Sequence, residues 1–308
     1  MQIACNKIKL LCAQPYIQAL SLLTILITSI FRNMSRHSSN VVSTFRIVMS
    51  LTTHFKQTPV NVADRSQSIP SHLREIKKNL LLASLPDTAL ENWFPDLEFI
   101  EMPLGLVLYE SGEIEKYVYF PTSAIVSILY VMENGDSAEI AVVGNEGVVG
   151  ISLFMGGNST PGRALVQSAG SGFRLNAKAM QDQFAEFGPV THLLLRYTQA
   201  LISQMAQTAV CNRHHSLDKQ LCRWLLLSLD RLQGNELVMT QELIANMLGV
   251  RREGVTEAAA KLQRAGLISY TRGRIEVLNR KRLEKRSCEC YAVVKAEYDR
   301  LLPLKIVT

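Results

Sequence analysis

The most constraining feature of the sequence is the stretch at residues 240–277, TQELIANMLGVRREGVTEAAAKLQRAGLISYTRGRIEV. Ala245, Gly249 and Val255 stand at the spacing of a helix-turn-helix, with a small residue at the helix crossing, a glycine in the turn and an aliphatic anchor. Apolar residues at helical spacing give each helix one buried side: Leu243, Ile244, Met247 and Leu248, then Val255, Ala258, Ala259 and Leu262. The stretch therefore predicts two packed helices joined by a tight turn.

A short β-hairpin is predicted directly after the second helix. Leu267 and Ile268 begin one strand, TRGR at 271–274 makes a turn, and residues 275–277 form the returning strand, so two arginines lie at the tip of a wing. The second helix opens with polar residues that can reach base edges and phosphates from its first turn, namely Arg251, Arg252, Glu253 and Thr256. Helix, glycine turn, basic helix start and basic wing together favour a nucleic-acid-binding module over a plain three-helix packing unit.

Charge is distributed unevenly along the 308 residues, although the net charge is only +6. Basic residues outnumber acidic ones in residues 1–70 and 214–308, whereas acidic residues outnumber basic ones in residues 71–213. This pattern suits a DNA-binding module joined to a domain that stays off the DNA. Four segments are expected: an N-terminal extension at 1–70, a β-domain at 71–188, a central helix at 189–213 and a DNA-binding module at 214–308.

An apolar segment without charged residues occupies residues 10–31, LLCAQPYIQALSLLTILITSIF. It is long enough to cross a bilayer as a helix. Three interpretations stay open: a membrane anchor, a cleaved signal, or translated sequence upstream of a true start at Met34 or Met49. We expect the last, and hence a cytoplasmic protein, because a DNA-binding protein must reach the chromosome. With a true anchor the chain would be a membrane-tethered ligand sensor, and in either case residues 32–70 are typical of a disordered tail.

From residue 99 to residue 175 the sequence predicts an antiparallel barrel or jelly roll. Short runs rich in β-branched and aromatic residues recur at 107–109, 117–120, 124–132, 138–143, 163–168 and 172–175, with glycines between them. Asn134-Gly135 between two such runs is a strong hairpin signal. Asn176 then caps a short helix, and Gly188-Pro189 separates it from a longer one.

The longer helix carries a stripe that predicts a two-helix dimer seam. Apolar and weakly polar residues repeat along it at roughly 4–3 spacing, as a coiled-coil seam requires; its central members are Leu194, Tyr197, Leu201, Gln204 and Thr208. The same stripe would serve a helix that packs on its own β-domain, so that alternative stays open. We expect the dimer.

The cysteines do not predict a metal site. Their positions are Cys5, Cys12, Cys211, Cys222, Cys288 and Cys290. None forms a C-x-x-C pair and no four share a zinc-ribbon spacing, so reduced intracellular thiols are expected. Cys288 and Cys290 form a C-x-C that suits a redox pair, half a metal site or two packed thiols, of which we expect the packed thiols. His214 and His215 are expected on a hinge surface, and no metal or cofactor is predicted. Since no P-loop, nucleophile elbow or H-E-x-x-H motif occurs, an enzyme is not expected.

The order of a β-domain, a long central helix and a winged helix-turn-helix resembles the cyclic-AMP receptor protein / fumarate-nitrate regulator (Crp/Fnr) family of bacterial transcription regulators. The resemblance covers about residues 75–305 and is most specific in GVRREGV at 249–255. It implies an α+β fold with an N-terminal antiparallel β-roll like the cyclic-nucleotide-binding jelly roll, a central dimerisation helix and a C-terminal winged helix-turn-helix. The implied function is a dimeric regulator that reads a palindromic operator in double-stranded DNA, with RNA polymerase as a further partner.

The resemblance also implies roles for residues of the DNA-binding module. Arg252 and Glu253 match the family's base-reading positions, and Thr256 and Glu257 stand one turn later, where the family often places another base contact. An arginine can bind guanine O6 and N7, and a glutamate can accept from the amino group of cytosine. Phosphate contacts, which position the protein without reading sequence, are expected from Thr240, Gln241, Arg251, Arg272 and Arg274.

The sensor half matches the family more loosely. Cyclic-nucleotide-binding members hold the ribose and cyclic phosphate with a Gly-Glu pair and a downstream Arg. The matching stretch here is residues 148–166, VVGISLFMGGNSTPGRALV, in which Gly150, Arg163 and Ala164 mark a possible effector pocket. The ribose-binding glutamate is absent, so cyclic AMP is not expected to bind in the familiar way, and the small-molecule effector stays unidentified. Cys5 and Cys12 alone do not make the cysteine cluster of the iron–sulfur branch.

Overall fold

Alternating apolar residues in the middle of the chain form two antiparallel sheets in the computed structural model, which describes residues 71–232 and 234–302. These residues belong to one compact unit, Ser68–Thr308. One sheet has the order β1-β7-β3 and the other β2-β6-β4-β5. The strands are β1 Glu98–Met102, β2 Val107–Tyr109, β3 Tyr117–Pro121, β4 Ile125–Val131, β5 Ser137–Val143, β6 Arg163–Ser168 and β7 Gly170–Asn176.

The expected β-roll is confirmed, with one strand more than the sequence indicated. The predicted hairpin at Asn134-Gly135 joins β4 to β5, and Gly135 adopts a φ of 87° that a glycine reaches without strain. Strand β1 was missed because its sequence, EFIEM, lacks a clear alternation and only Met102 is fully buried. It pairs with β7 throughout its length.

Short helices precede, interrupt and follow the strands of the β-roll. They are α1 Ser71–Ile76, α2 Leu80–Ala83, α3 Asp87–Trp93, α4 Ser152–Met155 and α5 Ala177–Ala185. As predicted, Asn176 caps α5, because its side-chain oxygen accepts a hydrogen bond from the amide of Ala179 at 2.9 Å. The segment at residues 10–31, the possible starts at Met34 and Met49, and the rest of residues 1–70 lie outside the described residues. Among the described residues, no helix is both long and apolar enough to span a bilayer.

The central helix, α6 Pro189–His214, turns the predicted seam toward its own chain. Leu194, Tyr197, Leu201, Gln204 and Thr208 are all buried within the single chain. The Tyr197 hydroxyl donates to the carbonyl of Val148, and Gln204 bonds the backbone of Val142 on β5. Side chains that fill one chain's core cannot also face a second chain. The prediction that these five residues form the dimer seam is therefore corrected: the stripe is an internal packing face.

The C-terminal module consists of helices around a small sheet. Its elements are α7 Leu217–Leu229, β8 Glu236–Val238, α8 Gln241–Leu248, α9 Arg252–Arg264, β9 Ile268–Thr271, β10 Arg274–Val277, α10 Arg280–Arg286 and α11 Glu289–Leu301. The sheet order is β8-β10-β9, so the predicted wing hairpin gains a third strand. Helices α8 and α9 form the predicted helix-turn-helix, with Ala245, Val255 and Leu262 in the core.

Helix α7 joins this module to the β-roll. Every residue from 220 to 229 is buried. The same apolar cluster contains Leu225 of α7, Val255 of α9, and Ile125 and Val142 of the β-roll. Each fully buried leucine of α7 contributes about 1.5–3 kcal/mol relative to an exposed one. The β-roll and the DNA-binding module therefore pack as a continuous body in this conformation.

Two polar contacts cross the same interface. The Arg231 guanidinium, with 5% of its side chain exposed, bonds Glu146 at 2.8 Å through Nε and again through Nη2. Beneath it, Ser127 Oγ lies 2.6 Å from both Glu139 Oε2 and Gln167 Oε1, and Gln167 donates to Ser228 of α7 at 3.1 Å. Ser127 has a single hydroxyl proton, so a protonated Glu139 that donates to Ser127 satisfies the whole chain of hydrogen bonds. Burial raises the pKa of Glu139 to about 7, against the lowering effect of its contact with Ser127 and of the positive charges of Arg223 and Arg231.

We predict that Glu139 makes stability fall as the pH rises from 5 to 7.5. The unfolded chain loses this proton near pH 4.5 and the folded chain near 7, so the folded state binds one more proton in that window. The free energy of unfolding then drops by at most about 1.4 kcal/mol per pH unit. The Glu139→Gln variant keeps a donor toward Ser127. Its free energy of unfolding, measured by urea denaturation, should decrease less steeply as the pH rises. Glu133→Gln, which changes an exposed glutamate, serves as control. If the unfolding free energies of Glu139→Gln and the wild type change equally with pH, the prediction is contradicted.

Candidate nucleic-acid interface

The turn between α8 and α9 has the local geometry that its sequence requires. Thr240 caps α8, because its hydroxyl oxygen accepts a hydrogen bond from the amide of Leu243 at 3.2 Å. Gly249 ends the helix in the left-handed region, with φ 63° and ψ 40°. A side chain there would be strained and would also press on Ala138, whose Cβ lies 3.2 Å from the position that a Cβ of residue 249 would take.

The start of α9 presents exposed charged side chains. Arg251 is its N-cap residue, and Arg252 and Glu253 form its first turn. All three are exposed. Within the described part of the chain, the side chains of Arg252 and Glu253 have no hydrogen-bond or ion-pair partner. These two groups are thus available to an external ligand without the loss of an internal contact.

The next predicted base-contacting residues are already engaged. The hydroxyl of Thr256 lies 2.6 Å from Gln241 Oε1 and 3.0 Å from the carbonyl of Arg252. Glu257 forms an ion pair with Lys261 one turn later, at 2.9 Å. That pair lowers the pKa of Glu257, so its carboxylate is charged at neutral pH. Both residues are exposed on α9, but either would exchange an existing partner for a base.

The structure gathers four of the predicted site residues around one cleft. The cleft has a volume of about 370 Å³ and lies between the start of α8, the start of α9 and the wing. Thr240, Gln241, Arg252 and Arg272 line it, together with Glu242, Tyr270 and Gly273. Because three backbone segments converge here, the cleft offers two guanidinium groups and the free amides of a helix N-terminus to a single anionic group.

The wing tip separates the two predicted wing arginines. Arg272 adopts a φ of 51° and Gly273 a φ of 79°, which makes a tight hairpin turn with the Arg272 side chain exposed. Arg274 instead pairs with Glu236 of the neighbouring strand β8 at 2.8 Å. Sequence reasoning missed this partner because strand β8 was not predicted.

The end of α8 and the turn that follows it rest on the β-roll. Helix α8 packs against β5, and the Ser137 hydroxyl donates to the carbonyl of Asn246 at 3.4 Å. Gly249 faces Ala138 of the same strand. The β-roll therefore supports the turn of the helix-turn-helix. No local sequence pattern predicts this contact.

The candidate effector residues do not share one pocket. Gly150 lines a largely apolar cavity of about 270 Å³, along with residues such as Tyr109, Ile128, Val149, Leu201 and Met205. Arg163 and Ala164 do not line that cavity. Arg163 pairs with Glu110 at 3.0 Å, and Ala164 is fully buried in β6.

A buried carboxylate beside this cavity was not predicted. Glu115 is only 4% exposed, and among the described residues neither of its carboxylate oxygens has a hydrogen-bond partner of ordinary length. Oε2 would lie 3.2 Å from a Cβ placed on Gly150. Burial raises the pKa of Glu115. The surrounding sequence, GEIEK at residues 112–116, is typical of an exposed polar turn and gives no indication that Glu115 is buried.

Comparison with known proteins agrees with this geometry. Residues 219–286 match the family model of the Crp-like helix-turn-helix domain. These residues cover most of α7, both helices of the helix-turn-helix, the wing and α10. The sequence matches no curated protein sequence significantly.

Solved structures extend the likeness over the β-roll. A transcriptional regulator of the Crp/Fnr family from Eubacterium rectale is 20% identical, with a TM-score of 0.55 over 68% of this chain and 98% of that one. A CRP-family regulator from Thermus thermophilus is 19% identical, with a TM-score of 0.52 over 61% and 96%. FixK2 from Bradyrhizobium japonicum is 17% identical, with a TM-score of 0.51 over 62% and 98%. The predicted resemblance to the Crp/Fnr fold is confirmed.

Proposed function

We propose that this chain, which carries a Crp-like helix-turn-helix domain on a Crp/Fnr fold, is a dimeric transcription regulator that binds double-stranded DNA in a sequence-dependent manner. The observation that carries the proposal is the exposed, unpaired pair Arg252 and Glu253 in the first turn of α9, beside a cationic cleft. A helix that enters the major groove by its N-terminal turn needs free side chains there and phosphate-binding groups around them.

The assigned roles follow from what each group is free to do. Arg252 reads a guanine and Glu253 a neighbouring cytosine, since neither gives up an internal partner. Thr256 and Glu257 contribute to base reading only after rearrangement. Arg272, Thr240, Gln241 and Arg251 bind phosphates around the cleft. Arg274 makes the weakest contact of this set, because its guanidinium is already paired with Glu236.

We predict that Arg252→Ala and Arg272→Ala weaken DNA binding in different ways. An operator is first selected from a pool of random duplexes, and affinities are then measured by fluorescence anisotropy across a salt series. Arg252→Ala should cost about 1–3 kcal/mol on the operator and relax the preference at one base pair. Arg272→Ala should weaken operator and random DNA alike and lower the salt slope by about one.

The control for both variants is Arg300→Ala, which removes an exposed arginine paired with Glu297 in the last turn of α11. It should leave affinity and salt slope close to those of the wild type. If no duplex is enriched by the wild-type protein, sequence-dependent DNA binding is excluded. Equal losses on operator and random DNA for Arg252→Ala would remove that residue from base reading.

A dimer would form through the outer face of α6. Exposed residues repeat there at 4–3 spacing, Leu195, Gln199, Ile202, Ala206, Ala209 and Arg213. Leu195 and Ile202 are 49% and 46% exposed, a large fraction for apolar side chains. Two copies of a 26-residue helix, about 39 Å long, can pair along such a stripe, and the alanines allow close approach. A two-fold pair then places two recognition helices about 34 Å apart on a palindrome.

We predict that Ile202→Glu dissociates the dimer, because a carboxylate between the paired helices loses its hydration without gaining an ion-pair partner. Sedimentation equilibrium should show a dissociation constant raised by about tenfold or more. Met132→Glu, which changes an exposed methionine at the β4–β5 turn, is the control and should leave the dimer intact. A wild-type chain that is monomeric, or an Ile202→Glu variant that still dimerises, would contradict this face.

The effector is proposed to bind the apolar cavity and to differ from a cyclic nucleotide. Arg163, which would meet a cyclic phosphate, is paired with Glu110 and lies outside the cavity lining. Leu201 and Met205 of α6 do line it. A small, mainly apolar ligand there would touch the central helix directly and so favour one placement of that helix over another.

We predict that cyclic AMP leaves the thermal unfolding midpoint unchanged, since a ligand that binds only the native state would raise it. Differential scanning fluorimetry on full-length protein, with small apolar compounds tested beside cyclic AMP, checks this expectation. A rise with cyclic AMP that Arg163→Ala abolishes would show that the ion pair opens and that nucleotide binding is retained.

A further inference from the structure

Four potential metal ligands converge where α6 ends and α11 begins. Cys211 lies in the last turn of α6, His215 is its C-cap, Cys288 is the N-cap of α11 and Cys290 lies in its first turn. One ligand atom from each side chain can be chosen so that all four lie within 4.8 Å of one another. Three thiols and an imidazole thus meet from segments that are distant in sequence.

The distances fit a single tetrahedral ion. Cys211 Sγ is 3.5 Å from Cys288 Sγ, and Cys290 Sγ is 3.4 Å from His215 Nδ1. A tetrahedral zinc site with Zn–S of about 2.3 Å and Zn–N of about 2.0–2.1 Å has edges of about 3.8 Å between sulfurs and about 3.6 Å between sulfur and nitrogen. An iron–sulfur cluster would hold its thiolates farther apart, because they bind different irons.

We propose that Cys211, His215, Cys288 and Cys290 form a Zn²⁺-binding site that ties the end of the central helix to the last helix of the DNA-binding module. The donor set of three thiolates and one imidazole is a structural zinc set with no open position. The three cysteines are at most 5% exposed and make an apolar cluster of their own, apart from both main cores.

Groups around the four side chains suit a bound cation. The other ring nitrogen of His215, Nε2, lies 3.4 Å from Glu289 Oε1, which can orient the ring and leave Nδ1 for the metal. Gln207 Nε2 donates to Cys290 Sγ at 3.0 Å. Hydrogen bonds of this kind orient thiolate and imidazole ligands and hold them in place.

A nearby buried arginine balances the charge. Zn²⁺ with three thiolates and a neutral imidazole carries one net negative charge. Arg223 of α7 is 4% exposed, and its guanidinium bonds the Thr208 hydroxyl. Within the described residues no carboxylate lies within ion-pair distance of it, and the buried Glu139 interacts with its charge only from farther away. A buried cation without a directly paired anion is costly, and the occupied site would add a negative charge near it.

Metal content tests the proposal without any use of DNA, so its failure is distinct from failure of the proposed regulator function. Full-length protein, reduced and stripped with a chelator, is titrated with Zn²⁺ and, separately, with Co²⁺. The wild type should bind one ion per chain, and Co²⁺ should give the thiolate charge-transfer and intense d–d bands of a tetrahedral site. Cys288→Ser, Cys290→Ser and His215→Ala should lose stoichiometric binding, and Glu289→Gln should bind about tenfold more weakly.

Matched controls are available for each ligand type. His214→Ala changes the neighbouring histidine, Cys222→Ser changes a buried cysteine of α7 outside the four, and Cys5→Ser with Cys12→Ser removes the two N-terminal thiols. All three should bind Zn²⁺ like the wild type. Loss of binding in any of these controls, with binding retained in Cys288→Ser, would overturn the assignment.

Alkylation of the wild-type protein tests the proposal even if the variants at the metal ligands fail to fold. Because burial alone shields these thiols, alkylation is followed by mass spectrometry at increasing urea concentrations, and Cys211, Cys288 and Cys290 should stay protected to a higher urea concentration in zinc-loaded than in chelated protein. The proposal is overturned if the folded, reduced wild type takes up less than one ion per chain. It is likewise overturned if Cys211 and Cys288 form a disulfide and zinc changes neither protection nor thermal stability.

Discussion

The structure depends above all on helix α7, whose residues 220–229 are buried on every side. One side of the helix completes the core of the helix-turn-helix, and the other packs on strands β4 and β5 of the β-roll. A connecting helix that was exposed on one side would let the two parts swing freely. Here the position of α9 relative to the β-roll is set by packing, with Arg231 and Glu146 paired at the edge of the interface.

Because the parts share one core, signals between them must act on packed helices. The central helix α6 contacts the cavity through Leu201 and Met205, and it contacts α11 through Gln204, which lies 2.8 Å from the hydroxyl of Tyr298. Its outer stripe, exposed among the described residues, is the proposed dimer face, and its end carries the four proposed metal ligands. If any of these positions influences the DNA-binding module, α6 is the packed element that connects them to it.

Several elements were readable from the sequence because their signals are local. The helix-turn-helix and its wing depend on spacings within one short stretch, residues 240–277, and the β4–β5 hairpin depends on Asn134-Gly135. The face of α6 was misassigned for a physical reason: a 4–3 stripe shows that one side of a helix is buried, but not which surface buries it. The exposed stripe, with its glutamine, alanines and arginine, is less apolar than the internal one, which is why the sequence pattern pointed to the internal stripe.

The sequence by itself determined the helix-turn-helix, the β-roll and the charges at the start of α9, because periodicity, turn residues and capping act over a few neighbouring positions. Only the tertiary structure decided which arginines are free. It paired Arg274 with Glu236 and Arg163 with Glu110, and it brought Cys211 and His215 to Cys288 and Cys290. Such contacts join residues far apart in the chain, and their formation depends on how whole helices and strands pack.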